Sequence, residues 1–461
     1  MWNVISGAIQ YVIDMGASVM LPIVIAIISV CMGIKLGKAI RSGLMIGVGF
    51  VGLTLIINMM SEELGPAAKA MSERFGLTLS VVDIGWPGAS PMAWASNIAT
   101  VAIPIAILVN VVMLLLKLTK TVNIDVWNIW HMTFTGAIAY TVTGSFAIGV
   151  LGVVVHAAIT YKLGDLWAPL MHDYFGLNGL TVPHGGGSCM APIAYVVEDI
   201  MDKIPGLNRI NINADSLQKK AGIFGEPIVI GGILGTLVGF LAGYTPQEAL
   251  PLGVKMSAVM VLMPKVVSCI TDGLMPLSER AKEILTKKFG SADFYIGLDP
   301  AILLQDSQVI TAGLIFIPLT LVIAVLVPGN QVLPFGDLAT IGFFTSVAVA
   351  VHKGNLFRTI FSGSAIMYMT VWIANQTVPW MTALGKATGT ADAGLVAALD
   401  QGGNPITYVF TQIFAKENVT GAVVIAVIYA ACLLYTVLGI RRKKHTASVK
   451  SEGTQVQPEI G

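Results

Sequence analysis

The feature that most constrains this chain is a series of long segments without a single charged side chain. A helix needs about 20 apolar residues to cross the hydrocarbon core of a bilayer, so such segments predict membrane-spanning helices. Segments that contain no Asp, Glu, Lys or Arg are Met15–Ile34, Ser42–Ser61, Ile98–Leu116, Pro227–Gln247, Val309–Val327, Thr359–Gly385 and Ala422–Ile440.

The overall composition excludes most soluble classes of protein. Only 11% of the 461 residues are charged and the formal net charge is +1, whereas a soluble domain is about 25% charged. So few charges cannot cover the surface of a soluble enzyme, and no basic excess is present for nucleic acid. The apolar segments are continuous rather than alternating, which favours helices over membrane-spanning strands.

We predict an all-α polytopic membrane protein with about 11 membrane-spanning helices. Residues 1–440 form its membrane-embedded part, and 441–461, which lack apolar periodicity, are predicted to be a disordered cytoplasmic tail. Lys35 and Arg41 follow the first span, and Arg441–Lys444 follow the last. Because basic residues stay on the cytoplasmic side, we expect the N-terminus outside and the C-terminus inside a bacterial inner membrane.

Two pairs of polar residues have the same separation, which suggests an internal duplication. Asp83 and Asp299 lie 216 residues apart, and so do His184 and Asp400. All of them stand in segments rich in Gly or Pro, which break helices and free backbone polar groups at membrane depth. Transporter sites often use such discontinuous helices in matching positions of two related halves. The predicted halves are 1–215 and 216–440.

The segment after Asp83 is predicted to be the tip of a re-entrant hairpin. It contains Trp86 within the run Gly85–Pro91, whose glycines and prolines interrupt a helix. Asp299 and Pro300 mark a second segment of this kind. An ordinary extracellular loop is the alternative for the first segment, because loops also favour Gly and Pro.

Ionisable residues inside apolar segments are the strongest candidates for a binding site. His131 and Thr135 lie four positions apart and so share one helical face. His184 precedes three glycines, where backbone can approach a ligand closely. Glu226 and Asp299 each precede a proline. Their alternatives are structural: a packing histidine for His131, and a carboxylate at a helix start for Glu226.

Several other chemistries find no support in the motifs. The sequence has no phosphate-binding Gly-x-x-x-x-Gly-Lys run and no histidine spacing typical of a metal site. Its 4 cysteines lack pair spacing. We therefore predict no cofactor, no metal and no catalytic residue. The candidate site suits a neutral, hydroxyl-rich solute, and the rival interpretation is an ion-coupled secondary transporter that uses His131 and Asp299 as proton carriers.

Long motifs at these same positions resemble the galactitol-specific enzyme IIC family of the bacterial phosphotransferase system, which is similar to the ascorbate enzyme IIC group. The resemblance covers roughly Trp2–Ile440. The motifs are DIGWPGASPMAW (Asp83–Trp94), WNIWHMTFTGA (Trp127–Ala137), VPHG (Val182–Gly185), FGEP (Phe224–Pro227), IGLDPAILL (Ile296–Leu304), VPGNQVLPFGDLATIGFF (Val327–Phe344) and DQGGNPIT (Asp400–Thr407).

The resemblance implies an inverted-repeat, elevator-type transporter that forms a homodimer. Each protomer would have a scaffold and a mobile core, with substrate between the tips of two helical hairpins. The substrate-binding residues that this arrangement and the motifs imply are Asp83, Trp86, His131, Thr135, His184, Glu226 and Asp299. Where the ascorbate group has glutamines after its histidine motifs, this chain has Thr135, Gly136 and Gly185–Gly187.

The same resemblance implies group translocation, in which the solute is phosphorylated as it enters. The phosphoryl donor would be a cysteine on a separate enzyme IIB, which receives the phosphoryl group from enzyme IIA. We therefore expect the permease subunit for galactitol or a similar alditol. The alternative is an ion-coupled secondary transporter of a polyol or of a sugar acid such as ascorbate.

Overall fold

The fold is taken from a computed structural model that describes residues 17–76, 79, 81–125, 127–212, 214, 226–289, 294–334, 336–388 and 395–454. It is mostly helical, as predicted. The first part of the chain forms α1 (Ala17–Cys31), α2 (Leu36–Arg74), β1 (Val81–Asp83), α3 (Gly85–Ala95), α4 (Ala99–Leu115), β2 (Thr121–Asn123), α5 (Ile129–Thr143), α6 (Phe146–Phe175), β3 (Leu180–Thr181) and α7 (Gly187–Lys203), followed by a 3-10 turn (Leu207–Arg209).

The second part of the chain repeats this order of elements. It forms α8 (Pro227–Leu241), α9 (Pro246–Phe289), β4 (Tyr295–Gly297), a 3-10 helix (Pro300–Gln305), α10 (Ser307–Leu326), β5 (Val332–Leu333), a 3-10 turn (Leu338–Thr340), α11 (Ile341–Val351), α12 (Leu356–Thr388), β6 (Val396–Ala397) and α13 (Pro405–Ala415). In both parts, two helices precede the first strand, and a single helix follows the third strand. The last helix, α14 (Val419–Thr454), comes after the repeated elements.

Helix α14 continues beyond Ile440 into the segment that the sequence predicts to be a disordered tail. Residues 441–454 are helical, whereas 455–461 lie outside the described residues. The boundary predicted near residue 215, and the Phe224 and Gly225 of one motif, also lie outside them.

Two small parallel sheets were not predicted from the sequence. One has the strand order β5-β1-β6 and the other β2-β4-β3. Each of their strands has only two or three residues, too few to show the alternation by which strands are predicted. The prediction of a purely helical protein is therefore incomplete at these six positions.

The sheets interlock the two parts of the chain. In each sheet the central strand comes from one part and both outer strands come from the other, with Val82 paired to Leu333 on one side and to Val396 on the other. Leu180 and Val396, which begin β3 and β6, lie 216 residues apart. Neither sheet can form from one half alone, so the halves fold as one unit.

Four helices in the described part of the chain are long and apolar enough to cross a membrane. A fifth span would combine the Gly88–Trp94 part of α3 with α4, which meet at an angle of 91°. This bend lies where the sequence predicts a broken helix. The four are α6, α10, α12 and the Val419–Arg442 part of α14.

Helix α5 forms the centre of the packed region. All its residues from Ile129 to Ala139 are buried, which is typical of a helix surrounded on every side by other elements. It packs against α6 and α13. The polar side chains of His131 and Thr135 are thereby held away from lipid.

The turn between β1 and α3 depends on a glycine. Gly85 has a φ of +62°, and a Cβ atom at this position would lie 2.4 Å from the carbonyl carbon of Gly336. Gly144, at the end of α5, also has a positive φ, of +68°, but a Cβ there would meet nothing within 4 Å. The two glycines therefore separate backbone strain from close packing.

We predict that Gly85→Ala lowers the free energy of unfolding by about 3 kcal/mol, because overpacking adds to the cost of a left-handed alanine. Gly144→Ala should cost only about 1 kcal/mol. Thermal unfolding of both purified variants in detergent measures the difference. Equal losses in the two variants would contradict the close approach of the two segments.

Candidate functional site

A group of polar side chains lies at the centre of the molecule, where α5, α6 and the loops after β3 and β6 meet. We call it the histidine cluster. All of its side chains are buried except that of Asp400, which is 13% exposed. Its members are His131, Thr135, His156, His184, Asp400, Gln401 and Thr407.

Two histidines and a carboxylate form one side of the histidine cluster. The rings of His131 and His184 are 4.3 Å apart and nearly perpendicular, and His131 Nε2 lies 3.7 Å from Asp400 Oδ2. His184 Nδ1 accepts a hydrogen bond from the Gly186 N–H, at 3.1 Å. Since Nδ1 is the acceptor, Nε2 of His184 carries a hydrogen and is a donor.

The other side of the cluster is a chain of three hydrogen-bonding side chains. Thr135 Oγ1 lies 2.7 Å from His156 Nδ1 and 2.7 Å from Thr407 Oγ1. These contacts connect α5, α6 and α13, which come from different parts of the chain. They fix the ring of His156, so that its Nε2 atom faces the remainder of the cluster.

The loops after β3 and β6 approach each other at Gly185. Asn404 Nδ2 donates to the Gly185 carbonyl at 2.6 Å. A Cβ at Gly185 would lie 2.9 Å from His156 Nε2 and 3.2 Å from Gln401 Nε2. Both side chains thus occupy the space that a larger residue would need. The pair His184 and Asp400, predicted to correspond from their separation, do lie in the same cluster.

Several buried polar atoms of the cluster have no hydrogen-bonding partner among the described residues. They are both ring nitrogens of His131, His156 Nε2 and Gln401 Oε1. Leaving such an atom unpaired in a buried position costs about 1–3 kcal/mol, and native proteins rarely do so without a reason. Their concentration at one place is therefore typical of a site that hydrogen-bonds a ligand.

Asp299 lies in a second polar group, at the end of β4. Its Oδ1 accepts from the Ala301 N–H at 2.7 Å, and its Oδ2 accepts from Asn128 Nδ2, also at 2.7 Å. Asn128 Nδ2 also donates to Asp125 Oδ2 at 2.6 Å. One amide nitrogen therefore uses its two hydrogens to hold two carboxylates together.

Asp83 and Trp86 lie at the end of β1, in the other sheet. The oxygens of Asp83 accept from the backbone N–H groups of Gly85, Leu399 and Asp337. Asp337 in turn accepts from the Trp86 N–H at 2.8 Å. The structure therefore gives Asp83 a clear role in holding the broken backbone, and it places Trp86 beside Asp337.

Glu226 lies elsewhere in the fold. It immediately precedes α8, which begins at Pro227 as predicted, and its side chain lines a largely apolar groove between α8 and α9 with Ile228, Thr236 and Ser257. The structure thus joins His131, Thr135 and His184 in one cluster. Asp299 lies in a separate group beside Asn128, and Glu226 lies on another pair of helices.

Sequence reasoning did not select five of the residues that the structure places at these sites, although signals existed for two of them. His156 is the only ionisable residue of the apolar segment 136–160. Asp400 was identified through its separation from His184. The other three, Asp125, Asn128 and Gln401, carry no local pattern that distinguishes them from loop residues. No group of three His, Cys, Asp or Glu side chains in the described part of the chain is placed to hold a metal ion.

The fold and the buried polar site define a multi-pass membrane permease. The sequence matches the family of the PTS system sugar-specific permease component, EIIC-GAT, over residues 11–394. The chain belongs to this family, whose members are multi-pass proteins of the inner membrane.

Two relatives share most of their length with this chain. The galactitol-specific EIIC component of the PTS system from Escherichia coli strain K12 is 55% identical over 432 residues, which cover 94% of this chain and 96% of the relative. The component of the same name from Escherichia coli O157:H7 matches with the same identity and coverage.

The bridge between Asp125 and Asp299 generates a test of the site geometry. We predict that Asn128→Ala lowers the free energy of unfolding by about 2 kcal/mol, because two buried carboxylates lose a shared donor. Adding Asp125→Asn should recover part of this loss, since one of the two facing charges is removed. Thermal unfolding of the single and double variants provides the measurement.

Asn97→Ala is the matched control, because Asn97 is exposed and its truncation should change stability by less than about 0.5 kcal/mol. Strictly additive effects of Asn128→Ala and Asp125→Asn would contradict the bridge.

Proposed function

We propose that this chain binds galactitol or a similar alditol and translocates it across the inner membrane while a separate enzyme IIB phosphorylates it. The observation that carries the proposal is the group of unpaired buried polar atoms on His131, His156 and Gln401. The names of the two relatives support galactitol as the substrate. Enzyme IIA is the second partner, because it supplies the phosphoryl group to enzyme IIB.

The chemistry of the histidine cluster fits a neutral polyol. Each hydroxyl group of a polyol is both a donor and an acceptor, and the cluster presents imidazole nitrogens, an amide oxygen and a carboxylate. Aromatic rings stand on either side: Trp130 is 4.2 Å from His131 and Phe343 is 6.3 Å from His184, between ring centroids. Such rings cover the C–H faces of a polyol, as they cover apolar surface in general.

Within this proposal, the predicted site residues take different roles. His131 and His184 bind substrate hydroxyl groups, and Thr135 holds His156 in position. Asp299 retains acceptor capacity beyond its two hydrogen bonds, since a carboxylate offers about four lone-pair directions. We assign it to substrate binding at the tip of the second broken segment.

The other predicted residues act less directly. Asp83 and Trp86 support the tip of the first broken segment through the backbone contacts described above. Glu226 lies on the α8 helix and is proposed only as a residue that lines the approach to the membrane-embedded core.

The repeated order of elements supports an origin in duplication and an elevator-type movement. Helices α1, α2, α8 and α9 pack together, and an ion pair between Lys255 and Glu63 connects α9 to α2. We propose that they form the scaffold, and that the sheets and helices around α5 form the mobile core. About 11 crossings, two re-entrant hairpins, a homodimer and an external N-terminus complete the proposal.

Transport by vesicles tests the proposed function. Proteoliposomes that contain this chain, with IIA, IIB and a phosphoenolpyruvate-driven phosphoryl supply on the side of the C-terminus, should accumulate only phosphorylated galactitol there. Uptake should not respond to an uncoupler. Accumulation of unmodified galactitol that follows a proton or sodium gradient would favour the alternative, an ion-coupled secondary transporter.

A substitution at Asp299 tests its assigned role. Asp299→Asn should lower the affinity for galactitol about tenfold or more, because the charged acceptor is lost. Folding should be preserved, since Asn caps a helix as well as Asp does. Equilibrium binding to the purified protein provides the measurement.

Asp306→Asn is the matched control. Asp306 also accepts backbone hydrogen bonds at the start of a helix, seven positions further along the chain. Its substitution should leave galactitol affinity unchanged. Normal affinity of the Asp299 variant would remove Asp299 from the binding site.

A further inference from the structure

Gln401 combines two features that are individually unfavourable. Its backbone φ is +53°, in the left-handed region that glycine occupies without strain and other residues avoid. Its side chain is also almost completely buried, with a relative exposure of 1%. Glycines follow directly at 402 and 403, so the loop contains glycine where close packing requires it but has glutamine at the strained position.

The hydrogen bonds of Gln401 fix the orientation of its amide. Its Nε2 donates to Asp400 Oδ1 at 2.8 Å, and its backbone N–H donates to the same oxygen at 2.9 Å. A carboxylate oxygen only accepts, so the amide nitrogen must face it and the amide oxygen must face away. That oxygen, Oε1, is buried and has no partner among the described residues.

The amide of Gln401 lies at the same place as a second unpaired atom. A Cβ at Gly185 would come within 3.2 Å of Gln401 Nε2 and within 2.9 Å of His156 Nε2, so both side chains border the same small region. His156 Nε2 is likewise unpaired. A substrate hydroxyl group can donate to Gln401 Oε1 and, depending on the tautomer of His156, donate to or accept from its Nε2.

We infer that Gln401 is a specificity-determining residue, whose amide oxygen accepts a hydrogen bond from one particular hydroxyl group of the alditol beside His156. The inference rests on the proposed function and adds a contact that the sequence motifs did not identify. Strain at a buried residue persists where surrounding structure enforces it, and it concentrates at binding sites. A site built to pair with a hydroxyl group rejects analogues that lack it, because its own polar atom is then left unpaired.

Gln401→Gly separates a binding role from a structural role. Glycine removes the strain, so the melting temperature should stay the same or rise, while galactitol affinity should fall about tenfold or more. A residue retained for folding alone would not show this combination. Gln401→Asn is a second variant, since asparagine tolerates a positive φ but has a shorter side chain, and it should lose affinity as well.

Lys416→Gly is the matched control. Lys416 has a φ of +57° at the end of α13, twelve positions beyond Asn404, and its side chain is exposed. Glycine should relieve the same strain there and leave galactitol affinity within about twofold of the original. Unchanged affinity in both Gln401 variants, or an equal loss in Lys416→Gly, would overturn the inference.

Galactitol analogues that each lack one hydroxyl group complete the experiment. The original protein should bind one of these analogues much more weakly than galactitol, and Gln401→Gly should lose that discrimination while keeping it at the other positions. Identical discrimination profiles in the two proteins would overturn the inference and leave the proposed function intact. Absence of any alditol binding to the original protein would overturn both.

Discussion

The structure depends on one constraint: backbone polar groups that are exposed where helices break at membrane depth must find partners within the protein. Two devices meet it here. Short parallel strands from opposite halves pair with each other, and carboxylates accept hydrogen bonds from the N–H groups that the strands leave free. Asp83 alone accepts from Gly85, Leu399 and Asp337, the last two of which belong to the other half. The broken segments of the two halves are therefore forced to meet, and the histidine cluster lies beside their meeting point.

Equivalent positions in the two halves have taken different roles. Asp83 and Asp299 both end a broken segment, but the oxygens of Asp83 serve three backbone groups, whereas those of Asp299 serve one backbone group and one side chain. Likewise His184 and Asp400 occupy corresponding loops, and both reach the histidine cluster. Duplication thus supplies matching geometry, and sequence divergence supplies a site whose two sides differ in charge and hydrogen-bonding character.

Much of this arrangement could be predicted from the sequence, and the remainder could not, for identifiable reasons. Missing charges identified the membrane-embedded class, and equal separations connected His184 with Asp400. The six strands are too short to produce a pattern. His156 stands in an apolar helix whose periodicity does not tell which face meets protein and which meets lipid. Gln401 could not be distinguished from a loop residue, because its significance lies in a positive φ and an unpaired oxygen that only coordinates reveal.

The central claim is that a polyol binds where the two halves meet, at the histidine cluster. An experimental structure of the purified protein with galactitol bound tests it most directly. The account predicts ligand density within hydrogen-bonding distance of His131 and of Gln401 Oε1, between the loops that follow β3 and β6. Density in the groove between α8 and α9 beside Glu226, with none at the histidine cluster, would contradict it.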